Sequence, residues 1–341
     1  MRLGSYTLPN NVFVAPMAGI TDLPFRRICE QMGAGYAVAE MAAANPLLWR
    51  TRKSWQRTRP PDTAKPHAVQ IVGASAAALA DAARYHVEQG AQIIDINMGC
   101  PAKKVCNNWC GSALLRDEKR VAAILAAVTR AVSVPVTLKM RSGWDRQHRN
   151  ALGIAKIAEA EGIAMLVLHG RTREEGYQGV AEYDTLRRVR EKVSIPLVAN
   201  GDIDSPEKAK RILAQTGADA VMIGRAARGR PWVFREILHF LQTGEHLPPP
   251  DMTERRRLMQ QHLRAHYAFY GNETGVRTAR KHIGWYLQDL PASLPFQEQA
   301  NRADTCEKQM GILNAFWESQ QERKNGYNTG GAFIMHAVLH P

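Results

Sequence analysis

Short runs of β-branched and apolar residues recur about every 30 positions through the first two-thirds of the chain. They are Val12–Ala15, Tyr36–Ala39, Ala68–Val72, Ile93–Ile96, Val134–Leu138, Ala164–Leu168, Ile195–Ala199 and Ala218–Ile223. Between them the apolar positions switch to helical spacing, as in Ala76–Glu88, Asp117–Ala131, Ala151–Glu161 and Ser205–Gln215. Ser205 followed by Pro206 and Glu207 reads as an N-cap with proline at the first helical position. Strands alternating with helices predict a parallel sheet. Eight of them in about 230 residues fit a closed α/β barrel of the (β/α)8, or TIM, type. No G-x-G-x-x-G follows any strand, which argues against a dinucleotide-binding open sheet.

Each apolar run ends in something polar or flexible: Pro16-Met17, Glu40, Gln70, Asn97 with Cys100, Lys139 with Arg141, His169, Asn200-Gly201-Asp202, and Gly224-Arg225. The carboxyl ends of barrel strands converge on one mouth, so these residues describe an enzyme site. The loops after strands seven and eight commonly hold phosphate. Here they carry Gly201, Gly224 and Arg225, which suit close backbone approach and a bidentate grip on an oxyanion. Lys139 at a strand end could be a Schiff-base nucleophile, a counter-charge or half of an ion pair, and spacing does not choose among them.

Beyond Gly224 the pattern changes. Pro248 to Pro250 mark a boundary, and Thr253–Tyr270, Arg277–Leu287 and Phe296–Trp317 read as helices of a small C-terminal bundle. The expected organisation is a barrel over 1–245, a helical domain over 246–320 and a flexible tail over 321–341. Arg277, Arg280 and Lys281 share one helix face. A second basic stretch, Arg50 to Lys65, follows Glu40 and should overhang the mouth. The net charge of +13 fits a polyanionic partner and disfavours a purely small-molecule enzyme. No apolar run is long enough for a membrane span, and the first twenty residues lack the pattern of an export leader, so a cytoplasmic protein is expected. A monomer is expected as well, though no motif bears on it.

Three of five cysteines, Cys100, Cys106 and Cys110, fall in "GCPAKKVCNNWC". Their C-x5-C-x3-C spacing matches no common zinc pattern, and no metal is expected. A redox pair of Cys106 and Cys110 stays open, because helical residues four apart are neighbours.

The segments "VAPMAGITDLPFR", "VQIVG", "DINMGCPAKKV", "GSALL", "LKMRSGW", "LHGRTR", "VANGDI" and "MIGRAARGRPW" resemble the tRNA-dihydrouridine synthases, most closely the bacterial B-type. The likeness runs in order over about residues 3–318. It implies an FMN enzyme that takes electrons from NADPH and reduces the C5–C6 double bond of a uridine in the tRNA D-loop, at position 17 for the B-type. It places Pro16, Met17, Ala18, Gln70, Lys139, His169, Asn200, Gly201, Asp202, Gly224 and Arg225 on the flavin. It makes Cys100 the acid that protonates C5. Asn97 and Arg141 at the mouth, with Arg277, Arg280 and Lys281 on the bundle, are the candidates for contact with tRNA. Cys106 and Cys110 are not residues the resemblance requires. The rival expectation is an FMN barrel acting on a free pyrimidine, in the manner of a dihydroorotate dehydrogenase. A non-catalytic RNA-binding barrel and a lysine aldolase are further alternatives.

Overall fold

A computed structural model of the chain describes residues 1–60 and 66–329, apart from the side chains of residue 322 and residues 324–329. Eleven strands appear in it: β1 (Arg2–Leu3), β2 (Tyr6–Thr7), β3 (Val12–Val14), β4 (Tyr36–Ala37), β5 (Ala42–Ala43), β6 (Ala68–Val72), β7 (Ile93–Met98), β8 (Val136–Arg141), β9 (Met165–His169), β10 (Leu197–Asn200) and β11 (Ala220–Ile223). Nine of them form one parallel sheet in the order β4-β3-β11-β10-β9-β8-β7-β6-β5. The two ends of that sheet are halves of one broken stave. β4 pairs with β3 and β5 with β6, and between them Val38 bridges Ala68 while the Ala39 N–H donates to Ala68 O at 3.0 Å. The result is an eight-stave (β/α)8 barrel whose second stave is interrupted around Glu40.

The interruption has a visible cause. Glu40 is 3% exposed, accepts the Gly19 N–H at 2.6 Å and pairs with Arg57 at 3.7 Å. A carboxylate turned to these partners replaces regular pairing over two residues. β8 starts later and ends later than its apolar run suggests. Pro135 lacks a donor N–H, and the strand then carries Lys139 and Arg141 into the sheet. Helix boundaries follow their caps. Ser75, Asp117 and Ser205 accept from Ala78, Arg120 and Lys208 N–H respectively, opening the helices Ala76–Glu88, Glu118–Ala131 and Pro206–Thr216.

The hairpin β1–β2 is not signalled by the hydrophobic pattern. Its flanking Leu3 and Leu8 join a buried cluster with Phe13, Tyr36, Ala68, Ile93, Met165 and Ala220. Tyr36, Ala68, Ile93, Met165 and Ala220 each open a strand, so the hairpin plugs the amino-terminal end of the barrel. The opposite end is left for the polar residues.

The chain divides into two compact units after Pro249. The second contains the helices Met252–Tyr270, Asn272–Leu287, Leu294–Arg302 and Cys306–Thr329, around a core that includes Leu258, Leu263, Ile283, Leu313, Phe316 and Trp317. The last helix continues through residue 329, into the stretch expected to be a tail. Residues 330–341 lie outside the described residues, as does Lys65 of the basic stretch. Among the described residues no helix is long and apolar enough to cross a membrane.

Candidate active site

Strand register brings the polar side chains together. Gln70 stands beside Asp95, Asp95 beside Thr137, Asn97 beside Lys139, Arg141 beside His169, and His169 beside Asn200. The first of these form a continuous relay. Thr137 Oγ1 donates to Asp95 Oδ1 at 2.6 Å, and Gln70 Nε2 to Asp95 Oδ2 at 2.6 Å. Asn97 Nδ2 donates to Gln70 Oε1 at 2.7 Å, and Asn97 Oδ1 accepts the N–H of Gly99 at 3.1 Å and of Cys100 at 2.9 Å. A buried acceptor on β7 is thereby connected to the turn that carries the Cys100 thiol.

The same turn is held from its other side. Arg141 is 2% exposed; its Nε donates to Gly99 O at 2.8 Å and its Nη1 to Thr172 O and Gly176 O, both at 2.8 Å. Those donors, Nε and Nη1, face loop carbonyls, so the geometry gives Arg141 the work of holding loops. Ser112 Oγ donates to Cys100 O at 2.8 Å, and Cys106 Sγ lies 3.5 Å from the same oxygen. Gly111 packs so tightly here that a Cβ would come within 2.9 Å of Cys100 O. Cys106 and Cys110 do not share a helix: the short helix Lys103–Cys106 ends before Trp109, whose φ is 54°, and Cys110 Sγ donates to Asn108 O. All five cysteines are free thiols.

Across the mouth, Lys139 Nζ donates to Asn200 Oδ1 at 3.0 Å, and Asn200 Nδ2 donates to Met222 O at 2.8 Å. His169 is buried, and its Nε2 has no hydrogen-bond partner among the described residues. Gly201 follows at φ 124°, where a Cβ would fall 2.7 Å from Ala181 Cβ and 3.1 Å from the His169 ring. Asp202 is gripped by Arg171, with Nη1 to Oδ1 at 2.8 Å and Nη2 to Oδ2 at 2.5 Å. It also takes the exposed Arg225 at 2.8 Å. Gly224 lies against Ala15 and Met17, which joins the last loop to the first. Pro16 and Met17 are half-buried and Ala18 is exposed on that first loop.

Burial raises the Asp95 carboxyl to about 6, against the hydrogen bonds of Thr137 and Gln70 and the charge of Lys139. Burial, helped by Arg141, lowers Lys139 to about 8, so it is still cationic at neutral pH. Burial and the surrounding cations push His169 well below its ordinary value, leaving a neutral imidazole. Burial raises the Cys100 thiol; the Ala102 N–H and the charges of Arg141 and Lys139 pull the other way without reversing it. At neutral pH the site therefore offers a protonated thiol, an ammonium and a neutral imidazole.

The predicted residues Cys100, Asn97, Gln70, Lys139, His169, Asn200, Gly201 and Asp202 thus fall on connected hydrogen bonds or packing contacts at the strand ends. Arg277 and Arg280 are exposed and Lys281 is half-buried, all on the helix Asn272–Leu287 of the second unit. Sequence reasoning missed Asp95, Thr137 and Arg171. It also missed Tyr177, whose ring lies 5.5 Å from the Arg141 and 4.9 Å from the Arg225 guanidinium. A buried nitrogen without a partner, an ammonium beside a buried amide, and a glycine with no room for a Cβ together fit a flat, polar, anionic ligand such as FMN.

A family profile described as dihydrouridine synthase (Dus) matches residues 13–322. The tRNA-dihydrouridine synthase B of Pseudomonas aeruginosa (strain PAO1) is 54% identical over 326 residues, covering 96% of this chain and 98% of that protein. The protein of the same name from Xanthomonas axonopodis pv. citri is 55% identical over 319 residues, covering 94% and 96%. The one from Salmonella typhimurium is 52% identical over 319 residues, covering 94% and 99%. Among solved structures, a 2-naphthoyl-CoA reductase superposes with a TM-score of 0.56 at 12% identity, over 70% of this chain and 51% of that one. Histamine dehydrogenase from Rhizobium sp. 4-9 gives 0.52 at 14% identity, over 72% and 47%. The chain spans about half the length of these two, and they share its barrel fold. With the profile spanning nearly the whole chain and relatives above half identity, the chain belongs to the dihydrouridine synthase family.

Proposed function

We propose that the chain is an FMN-dependent oxidoreductase that reduces the C5–C6 double bond of a D-loop uridine in tRNA to 5,6-dihydrouridine, with NADPH as electron donor. The names of the relatives support the reaction and the tRNA substrate. The observation that carries the chemistry is a neutral thiol, Cys100, held at the mouth by Asn97 and Arg141 beside a lysine and a buried imidazole.

FMN, held by the residues named above, would supply the hydride for uracil C6 and would draw its electrons from NADPH. The chain's own residues do the rest. Hydride at C6 leaves an electron pair at C5, and the Cys100 thiol donates its proton there, completing the addition of two hydrogens. A thiolate could not do this, so burial that keeps the thiol protonated serves the step. Lys139, fixed by Asn200, supplies a cation where negative charge collects. Gln70 and His169 offer hydrogen-bonding groups to the ring system. Asn200, Gly201, Asp202, Gly224 and Arg225 form the phosphate-side wall, with Pro16, Met17 and Ala18 beside Gly224. Asn97 commits its oxygen to the Cys100 turn and its amide hydrogens to Gln70 Oε1 and, at 3.8 Å, to the weak acceptor Met41 Sδ, from which a uracil carbonyl at the mouth would draw the second hydrogen. Arg277, Arg280 and Lys281 supply backbone contacts for a folded tRNA, from which the uridine must be splayed out. The protein acts as a monomer in the cytoplasm, where its substrate resides.

The test is NADPH oxidation by the purified yellow protein with unmodified tRNA, against free uracil and orotate. Turnover with tRNA alone, and dihydrouridine mapped to position 17 of the product, is the expected result. Turnover with the free bases alone would overturn it in favour of a free-pyrimidine enzyme. Cys100→Ala should keep its flavin and its NADPH half-reaction while slowing tRNA reduction by about 10²-fold or more, the usual range for a positioned acid. Wild-type reduction of tRNA in that variant removes Cys100 from the role.

A further inference from the structure

The helical unit contains a second chemical constellation, remote in sequence from the barrel's strand ends. His262 and His266 stand four residues apart on the helix Met252–Tyr270, and His282 lies on the next helix, Asn272–Leu287. All three are at most 1% exposed. Their ring centroids are 4.7 Å (His262–His282), 5.3 Å (His266–His282) and 6.2 Å (His262–His266) apart, and one ring nitrogen from each lies within 4.8 Å of the other two. Residues four apart on a helix present both rings to the same side, and the neighbouring helix supplies the third.

Neighbouring hydroxyls orient two of these rings as metal-bound histidines are oriented. Thr278 Oγ1 donates its hydrogen to Thr274 O at 2.7 Å, so its oxygen must accept at His266 Nε2, 2.8 Å away. That places the His266 proton on Nε2 and the lone pair on Nδ1. His262 Nδ1 meets the Tyr286 hydroxyl at 3.2 Å; in the tautomer in which Nδ1 donates to that hydroxyl, Nε2 carries the lone pair that would ligate. The rings of Tyr270 and Trp285 close the surroundings, at 4.6 Å from His266 and 5.3 Å from His282.

We propose that His262, His266 and His282 bind one divalent transition-metal ion, of which Zn2+ is the commonest match, with a water in the fourth position. Three neutral imidazoles suit zinc and its neighbours and do not suit Mg2+ or Ca2+, which take oxygen ligands. Zinc–nitrogen bonds of about 2.0–2.1 Å put tetrahedral ligands about 3.3 Å apart, so the rings close in by roughly 1.5 Å on binding. The ion clasps two helices, one of which carries Arg277 and Arg280 on its exposed face. It therefore fixes the presentation of that basic face and takes no part in the flavin chemistry.

The full-length protein, stripped with a chelator and dialysed, would be titrated with Zn2+ against a chromophoric competitor and with Co2+ by visible absorption. Expected are one equivalent of Zn2+ per chain, ligand-field bands of four-coordinate Co2+, a higher melting temperature with Zn2+, and no response to Mg2+. His266→Gln and His282→Gln should lose the equivalent, with folding checked by circular dichroism and retained flavin, while Cys106→Ser and Cys110→Ser keep it. A wild-type protein that takes up no Zn2+ at low micromolar concentration overturns the proposal without any variant. Binding that survives in folded His282→Gln, or vanishes in the cysteine variants, overturns it as well.

Discussion

Replacing Asp95 by asparagine probes both the relay and its electrostatics. Asp95 accepts from two sides, and an acceptor-only group there sets the direction of every amide that follows. Gln70 must turn Nε2 toward it and Oε1 toward Asn97. Asn97 must then turn Nδ2 toward Gln70 and Oδ1 toward the Gly99 and Cys100 N–H groups. Asparagine has the same shape but brings an NH2, so one of the two donors has to reverse. Thr137 can do so by rotating its hydroxyl, exchanging a charge-assisted bond for a neutral one at a net cost of about 1 kcal/mol. Reversing Gln70 instead would leave an NH2 facing the Cys100 turn.

Against that loss stands the burial of the charge. A folded-state value raised from 3.8 to about 6 means that the protonated form is favoured by folding. Its stabilising contribution is whole below the unfolded value and is lost as pH rises through the folded one, amounting to about 3 kcal/mol by pH 7. The replacement amide does not titrate. The unfolding free energy of the wild type minus that of Asp95→Asn should therefore fall by about 2.4 kcal/mol between pH 4 and pH 7.5. Urea unfolding of both proteins at matched pH and saturating FMN measures it. A difference that is flat with pH refutes the buried-charge reasoning. With Thr137 absorbing the reversal, tRNA reduction should stay within about threefold of wild type. A fall to the level of Cys100→Ala would show that the amide chain reversed and that the Thr137 rotation was misjudged.

Other consequences are simpler to read. Because Lys139 titrates at about 8, the rate of tRNA reduction should hold steady near neutrality and fall above pH 8 as the cation is lost; Lys139→Gln should be slow and lack that limb, and a variant that keeps the limb would assign it elsewhere. Gly201→Ala strains a backbone at φ 124° and pushes a methyl onto Ala181 and His169. At about 1–3 kcal/mol, its FMN dissociation constant should rise by roughly tenfold or more in a flavin-fluorescence titration, and unchanged affinity would remove Gly201 from the cofactor wall. Cys110→Ser should turn over tRNA within about twofold of wild type, since its thiol only reaches the nearby Asn108 carbonyl; a large loss would tie it to Cys100 after all.

The residues legible in the sequence were those whose polarity breaks an apolar run at its end. Lys139, His169 and Asn200 each follow hydrophobic neighbours and have to emerge at the mouth. Asp95 and Thr137 lie inside strands, where a single polar residue looks the same whether it faces a helix, a solvent gap or a partner. What makes them part of the site is register across β6, β7 and β8, a relation between segments about 25 and 42 residues apart in sequence. The helix-neighbour argument for Cys106 and Cys110 fails for the complementary reason: it assumes a continuous helix, and Trp109 at φ 54° breaks the path.

Charge shows the same limit from another direction. The +13 total weighs every arginine alike, yet Arg141 and Arg171 are each 2% exposed. The first spends its donors on the carbonyls of Gly99, Thr172 and Gly176, and the second is cancelled by Asp202. Both are buried in the barrel rather than displayed on its surface, though the field of Arg141 still reaches Lys139, His169 and Cys100. Attraction of a polyanion therefore has to come from exposed cations such as Arg52, Lys53, Arg277 and Arg280. Removing Arg277 and Arg280 should weaken tRNA binding and flatten its salt dependence. Removing Arg141 should instead release the Cys100 turn and lower turnover at saturating tRNA. The two kinds of arginine are thus separable by KM against kcat, a division that composition alone could not draw.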